Sequence, residues 1–467
     1  PFHDIGDYLS QREKLDILRD IVSIDGITGA DGWTRIVPDT QHDWLDQADP
    51  SFDRFPVLGA KRGDEEGLFE NYSQGVLSAR DSWAYNASRN KLANNMRCMS
   101  NFYNAEVERY QTAGKPEDVN KFVDDDAARV SWTRGLKTLL RKGYRAEFSE
   151  ESILQAVYRP FFVQWQYFDR RLNELVYQMP RIFPHAKAEN RVIQVSGTGV
   201  RSGFSTLMSR ALPSYDLVEK GQCFPLYLYE ETKLGDGLFA STESETGLTR
   251  RDAITDVGLA YFQAAYPGEA ISKEDLFYYI YGLLHSPDYR DRFKNNLAKA
   301  LPRIPAVRTF ADFAAFRDAG RRLGDLHVNF ESVEPYLVTF KEGDHALINE
   351  AQDDPVKFYR VKKMKFGGNG KVKDKTTVIY NENITIQNIP LEAYDYVVNG
   401  KPALEWVMER QVVKQDKASG IINDANDYAT ETVGDPRYPL HLFRRVITVS
   451  LETTRIVNSL PTLDIEG

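Results

Sequence analysis

Strand-like and helix-like segments follow one another in blocks along this chain, an order incompatible with a doubly wound α/β fold, in which strands and helices alternate one by one. Residues 155–230 are β-rich: apolar runs at 192–195 and 224–229 have strand length, and Gly197, Gly199 and Gly203 mark a turn between them. Helix-like stretches follow at 254–266, 273–285, 289–301 and 310–323. Strands recur near 336–340, 358–361 and 376–386, and helices close the chain at 402–413, with Pro402 in the first turn, and at 440–460. At the other end, Ser10 and Glu13 form a capping box ahead of Leu15, Leu18 and Val22. Residues 31–70, rich in Asp, Pro and Gly, read as loops and short strands such as 33–37. A long helix is expected over 88–110, where Leu92, Met96, Met99, Tyr103, Val107 and Tyr110 recur at helical spacing and Gly114 with Pro116 ends the run. The polar stretch 230–249 reads as an exposed loop or an internal boundary. The expected class is α+β: a mixed, β-rich fold with a helical subdomain and C-terminal helices.

The 467 residues suggest two to four packed units at roughly 100–200 residues each. No apolar run approaches the roughly 18–20 residues that cross a bilayer, so no membrane partner is expected. Pro1-Phe2-His3-Asp4 offers neither a basic nor an apolar leader segment, and the missing initiator Met suggests a piece of something longer. The two cysteines, Cys98 and Cys223, are too few and too far apart for a disulfide scaffold or a Cys-rich zinc site, which fits a reducing cytoplasm. A net charge of −9 argues against a wholesale polyanion binder but leaves room for a local basic cleft.

Catalytic signatures are mostly missing. No GxxxxGK occurs: the run Gly367-Gly368-Asn369-Gly370-Lys371 comes near, but Lys365 stands where the first Gly belongs. Gly197, Gly199 and Gly203 miss GxGxxG by one residue, and HExxH, CxxC and GxSxG are absent. The histidines at 3, 42, 185, 285, 327, 345 and 441 are scattered, which speaks against a zinc site. Asp64-Glu65-Glu66 and Asp124-Asp125-Asp126 read as solvated charge runs, since a carboxylate dyad needs burial to separate its pKa values. Two basic clusters stand out. From Arg129 to Arg145 there are six basic residues and no acid, with Arg134, Lys137 and Arg141 on one helix face. From Lys357 to Lys375 eight basic residues face one acid, Asp374, with Phe358, Tyr359 and Phe366 interleaved. This second cluster reads as a β-ribbon carrying phosphate contacts, with a glycine-rich tip at 367–370. Within it Lys363 and Lys365 are expected on one strand face and Lys362 on the other.

Several segments are similar in wording to one family. IGDYLSQREKL (5–15), GVLSARDSWAYN (75–86) and VSGTGVRSGFSTLMSRALPSYDLVEKGQCFPLYLY (195–229) resemble the C-terminal part of Type ISP restriction–modification enzymes. So do 278–305, VNGKPALEWVMERQVVKQDKASGIINDAND (398–427) and FRRVITVSLETTRIVNSLP (443–461), so that the resemblance runs in order along almost the whole chain. Members join an Mrr-like nuclease, a RecA-type translocase, a helical coupler, an N6-adenine methyltransferase and a target-recognition domain in one polypeptide. The resemblance implies that residues 1–60 are the methyltransferase tail and linker, and that 61–250 and 331–467 form a DNA target-recognition domain around a helical subdomain at 251–330. It implies double-stranded DNA and the upstream methyltransferase domain as partners, a cytoplasmic monomer, and S-adenosylmethionine, ATP and Mg as cofactors of the full-length enzyme, with none held in these residues. The methyltransferase's Asn/Asp-Pro-Pro-Tyr/Phe tetrapeptide and the nuclease and Walker motifs are absent, so whether this chain is itself an enzyme stays open. Where the family often has Thr-x-Arg-Asp, this chain has Ser78-Ala79-Arg80-Asp81; the hydroxyl survives, and Arg80 and Asp81 join the DNA-binding candidates. Arg201 and Ser202 are the base-reading candidates, because Arg pairs bidentately with guanine and a glycine-flanked loop approaches a groove closely. The remaining candidates are Arg134, Lys137, Arg141, Lys362, Lys363 and Lys365, as phosphate contacts. The alternatives are a carbohydrate-active enzyme, its cleft lined from the 25 Tyr, 25 Phe and 6 Trp, and a structural or partner-binding module that docks through the 440–460 helix.

Overall fold

The computed structural model describes residues 3, 5–6, 9–23, 27, 33–38, 42–45, 47–60, 66–231, 247–343, 354–369 and 372–465. Asp64, Glu65, His345, Gly370, Lys371 and the middle of the polar stretch at 230–249 lie outside them. The class is α+β, as expected.

Three four-stranded sheets organise the described residues. In the first, Ser73–Gln74, Gln222–Pro225, Val192–Val195 and Thr206–Ser209 lie side by side, all antiparallel. Every residue of its strands Val192–Val195, Thr206–Ser209 and Gln222–Pro225 is buried, which fits a sheet covered on both faces. The second sheet runs Tyr85–Asn86, Phe162–Tyr167, Ile153–Arg159 and Leu212–Pro213, with the last strand parallel to its neighbour. The third runs Thr339–Phe340, Thr385–Gln387, Asp374–Ile379 and Lys365–Gly367.

Helices fill the spaces between sheets. Arg89–Thr112 starts where the Ser88 hydroxyl accepts from the Lys91 N–H, and Leu92, Met96, Met99, Tyr103, Val107 and Tyr110 are all buried, as their spacing predicts. They pack with Leu136 and Leu140 of the helix Arg134–Arg141 and with Ile153 and Tyr167 of the second sheet. Lys273–Leu283 and Phe310–Val328 cross so closely that Gly282 meets the Phe316 carbonyl and Gly320 the Tyr278 carbonyl. No side chain fits at either crossing position. The last helix, Tyr438–Asn458, is no docking face: Leu440, Phe443, Val446 and Val449 are buried in one core and Ile456 in another.

Several boundaries differ from expectation. The expected strand at 358–361 is a helix, Pro355–Tyr359, because the Asp354 carboxylate caps the Lys357 N–H and Pro355 occupies the first turn. The stretch 289–301 is broken into Pro287–Arg292 and Lys294–Lys299 around buried Phe293. The expected 376–386 strand turns at Asn381, whose Oδ1 accepts from the N–H groups of Asn383 and Ile384. The 402–413 helix stops at Arg410, and Val413–Gln415 leaves as a strand antiparallel to Ile422–Asp424. The flanks of the polar stretch pair as a hairpin, Tyr227–Glu231 with Leu248–Asp252. The capping box of Ser10 and Glu13 is present on Gln11–Ile21, but its apolar face is exposed: Leu15, Leu18 and Val22 bury no surface comparable to a core residue.

A candidate nucleic-acid interface

The two basic clusters become sites only after subtracting the cations that carboxylates already neutralise. In the first cluster Arg129 pairs with Asp124 and Asp126, and Arg145 with Glu108. Arg134, Lys137 and Arg141 have no ionic partner among the described residues. The Thr133 hydroxyl caps their helix, Leu136 and Leu140 turn inward, and the three- and four-residue spacing brings the three cations to one concavity of about 390 Å³ with Trp132 and Asn120. Lys137 Nζ donates to Asn120 Oδ1 at 2.8 Å.

In the second cluster Arg360 pairs with the Asp424 carboxylate and Lys375 with Glu405. Lys362, Lys363 and Lys365 have no ionic partner among the described residues. The expected strand alternation does not hold, since the strand starts only at Lys365. Val361 and Met364 are buried, and Asn426 clamps Val361 by donating to its carbonyl and accepting from its N–H. The two intervening lysines are thereby both turned outward, and they line one cavity of about 470 Å³ that Lys365 does not reach.

The hairpin 413–424 lines the same cavity and brings in Lys414, while the end of the preceding helix brings in Arg410. Neither residue was singled out from the sequence. The signal that would have found them is the basic spacing of Arg410, Lys414 and Lys417 around a turn closed by Gly420, which the two valines at 412–413 disguise as a continuing helix. Amides fix the hairpin to the second sheet: Asn423 Nδ2 donates to Gln164 Oε1 at 2.9 Å, Asn423 Oδ1 accepts from the Ala87 N–H at 2.9 Å, and Asn86 Nδ2 donates to the Ile422 carbonyl at 3.2 Å. The Val413 N–H donates to the Lys362 carbonyl at 3.1 Å, so the two lysine-bearing walls are tied together.

Three expected contacts, Arg80, Asp81 and Ser202, are engaged elsewhere. Arg80 is 3% exposed. Its guanidinium donates to the carbonyls of Ser131 and Leu172 and to the Thr133 hydroxyl, and burial pulls it down to about 10. A cation so enclosed meets no phosphate; it ties the loop at 78–81 to the segment that caps the basic helix. Ser78 does the same work from the other end, accepting from the Arg80 N–H at 3.1 Å and bonding the Asp81 carboxylate. Asp81 also accepts from the Tyr158 hydroxyl at 2.8 Å and lines the 470 Å³ cavity. Ser202 is likewise consumed: its hydroxyl lies 2.9 Å from Glu219 Oε2 and 3.0 Å from Asn399 Oδ1. Although burial pushes the Glu219 carboxyl up, the N–H and hydroxyl of Ser202 and the N–H of Arg201 hold it below the usual range. This carboxylate fixes the turn between Val192–Val195 and Thr206–Ser209, and it leaves the Arg201 side chain exposed at the tip.

A family model described as the Type ISP C-terminal specificity domain matches residues 67–442. A nuclease-deletion mutant of the Type ISP restriction–modification enzyme LlaGI, solved with a DNA substrate mimic, is 34% identical with a TM-score of 0.79, over 100% of this chain and 39% of that one. The ATP-dependent Type ISP enzyme LlaBIII bound to DNA is 32% identical with a TM-score of 0.80, over 99% of this chain and 28% of that one. The DrdV–DNA complex is 30% identical with a TM-score of 0.74, over 97% and 42% respectively. The chain thus spans less than half the length of each of these proteins. No curated protein matches it.

Proposed function

The chain belongs to the Type ISP C-terminal specificity domain family, and from this premise we propose that it is the part of a single-chain restriction–modification enzyme that reads the DNA target. The observation that carries the reading is similarity along nearly the whole chain to enzymes solved with DNA, combined with lysines and arginines that have no ionic partner among the described residues in a chain of net charge −9. Arg134, Lys137, Arg141, Lys362, Lys363, Lys365 and Lys414 take phosphate contacts, which set register, and Arg201 takes a base edge. Residues 1–60 are the tail of the methyltransferase domain and the linker from it, and the full enzyme is a cytoplasmic monomer. S-adenosylmethionine, ATP and Mg are held by other segments of that enzyme. No GxxxxGK occurs in this sequence.

The test is a salt titration of binding to random duplex DNA. If Z cations neutralise phosphates, log K falls with log salt at a slope of about −0.9Z. Lys362→Ala with Lys363→Ala weakens binding to every duplex alike and lowers the slope by up to about 2. A chain indifferent to duplex DNA at low salt overturns the reading.

A further inference from the structure

The 470 Å³ cavity is more than a cationic groove, because its interior is built for a planar, hydrogen-bonding guest. Its volume falls within the roughly 300–1,000 Å³ typical of small-molecule pockets. Apolar surface comes from Tyr158, Phe162 and Met408, and the Tyr85 and Tyr158 rings lie 4.7 Å apart. Three groups on its lining residues, the Tyr85 hydroxyl, Gln164 Nε2 and Arg410 Nε, are buried with no hydrogen-bond partner. Buried polar groups without partners are rare in folded proteins, and these three belong to residues that line one cavity. The Gln164 amide is not free to turn and satisfy itself: Asn423 donates to its oxygen, and the Ala87 N–H fixes Asn423 in turn. Its NH₂ is therefore a fixed donor.

All three acids of the lining are engaged: Asp81 by Tyr158, Glu409 by Lys401 and Arg410, and Asp416 by the N–H and hydroxyl of Ser419. Lys362, Lys363 and Lys414 are exposed; Lys362 and Lys363 have no ionic partner among the described residues, and the charge of Lys414 helps to hold the Asp416 carboxyl below its usual range. Exposed lysines beside aromatic and apolar walls match a phosphate and a base face.

We infer that the cavity between the hairpin 413–424 and the second sheet receives a single nucleotide, its base against Tyr158 and Phe162 and its phosphate between Lys362, Lys363 and Lys414. The nucleotide is either one extruded from bound DNA or a free mononucleotide. The first source rests on the DNA-reading function proposed above, and the second does not.

The experiment uses the whole 467-residue chain. Equilibrium dialysis measures deoxyadenosine and deoxycytidine 5′-monophosphate against deoxyribose 5-phosphate, and competition compares a perfect duplex with the same duplex carrying one bulged nucleotide. For extruded DNA, the bulged duplex binds roughly tenfold or more tightly, because the bulge removes the cost of unpairing and unstacking a base. Val413→Trp, which fills the cavity from the hairpin, abolishes that preference while perfect-duplex binding shows that the variant is folded. Lys414→Glu, an exposed change, weakens mononucleotide binding. Mononucleotide binding without a bulge preference assigns the cavity to a soluble nucleotide and upholds the inference. If the perfect duplex binds but neither bulge nor mononucleotide is favoured, or if deoxyribose phosphate binds as well as the nucleotides, the inference is overturned and the DNA-reading function stands. If no duplex binds while mononucleotides do, the reverse holds.

Discussion

An arginine in a sequence carries no mark of whether its charge faces a phosphate or a carbonyl, and Arg80 and Arg201 show both outcomes. Arg80 serves three acceptors inside the fold, so Arg80→Ala leaves two carbonyls without a donor and leaves the Thr133 hydroxyl only the Leu136 N–H. At about 1–3 kcal/mol for each unsatisfied buried group, the loss should be roughly 2 kcal/mol or more, read as a lowered urea midpoint. If Arg80→Lys instead keeps full stability and flattens the salt dependence of DNA binding, the residue meets phosphate after all. Arg201 has the opposite profile: an exposed side chain whose backbone alone is held, by Glu219. Arg201→Ala should cost about 1–3 kcal/mol on the cognate site and leave stability, nonspecific binding and the salt slope nearly unchanged. Equal weakening on cognate and scrambled duplexes would make it a phosphate contact. The sequence shows the donor; the neighbours that claim it come from residues about 50 and 90 positions away, which no local pattern reveals.

Elements whose information is local were legible. The strand at 192–195 has the bounds expected of it, and the 88–110 helix differs by two residues at its end, because apolar spacing and a serine cap suffice to specify them. Elements that depend on partners were not. Phe358 and Tyr359 look like strand residues, yet the preceding Asp-Pro cap commits them to a helix. Val412 and Val413 look like a helix tail, yet Asn423 and Gln164 recruit them to a hairpin. The crossing of Lys273–Leu283 with Phe310–Val328 also depends on both partners, since each glycine is explained only by the carbonyl it meets. Gly320→Ala drives a methyl into the Tyr278 carbonyl, a backbone atom that cannot swing away, so the helices must separate. Overpacking of this kind costs about 1–3 kcal/mol, and a thermal melt should show it. A variant with unchanged Tm would mean that the helices slide apart freely.

At the scale of the whole molecule the sheets and cores are assembled from distant stretches. One core joins Phe52 to Ile465, another Ala87 to Val449, and the Tyr281–His327–Thr453 hydrogen-bond chain links helices from three parts of the sequence. That link makes stability pH-dependent. Burial, aided by the Arg290 charge, lowers His327 to about 3, and burial lowers His285 as well. The folded state keeps His327 neutral while the unfolded chain binds a proton near 6.5, so its contribution is complete above that pH and is lost as pH falls toward 3. Denaturation midpoints should therefore decline below pH 6.5, by up to about 1.4 kcal/mol per pH unit for each buried histidine, and His327→Asn should flatten the decline. An unchanged slope in that variant would assign the acid sensitivity to other groups. The way distant stretches pair has a further consequence, for inheritance. Residues 73–74 lie against 222–223, 156–157 against 212–213, and 86–87 against 422–423. A genetic crossover between any of these partners would splice strands from two ancestors whose registers never evolved together. New specificities should therefore arise by exchange of the whole unit, or by point changes on protruding tips such as 197–203, and rarely by recombination within it.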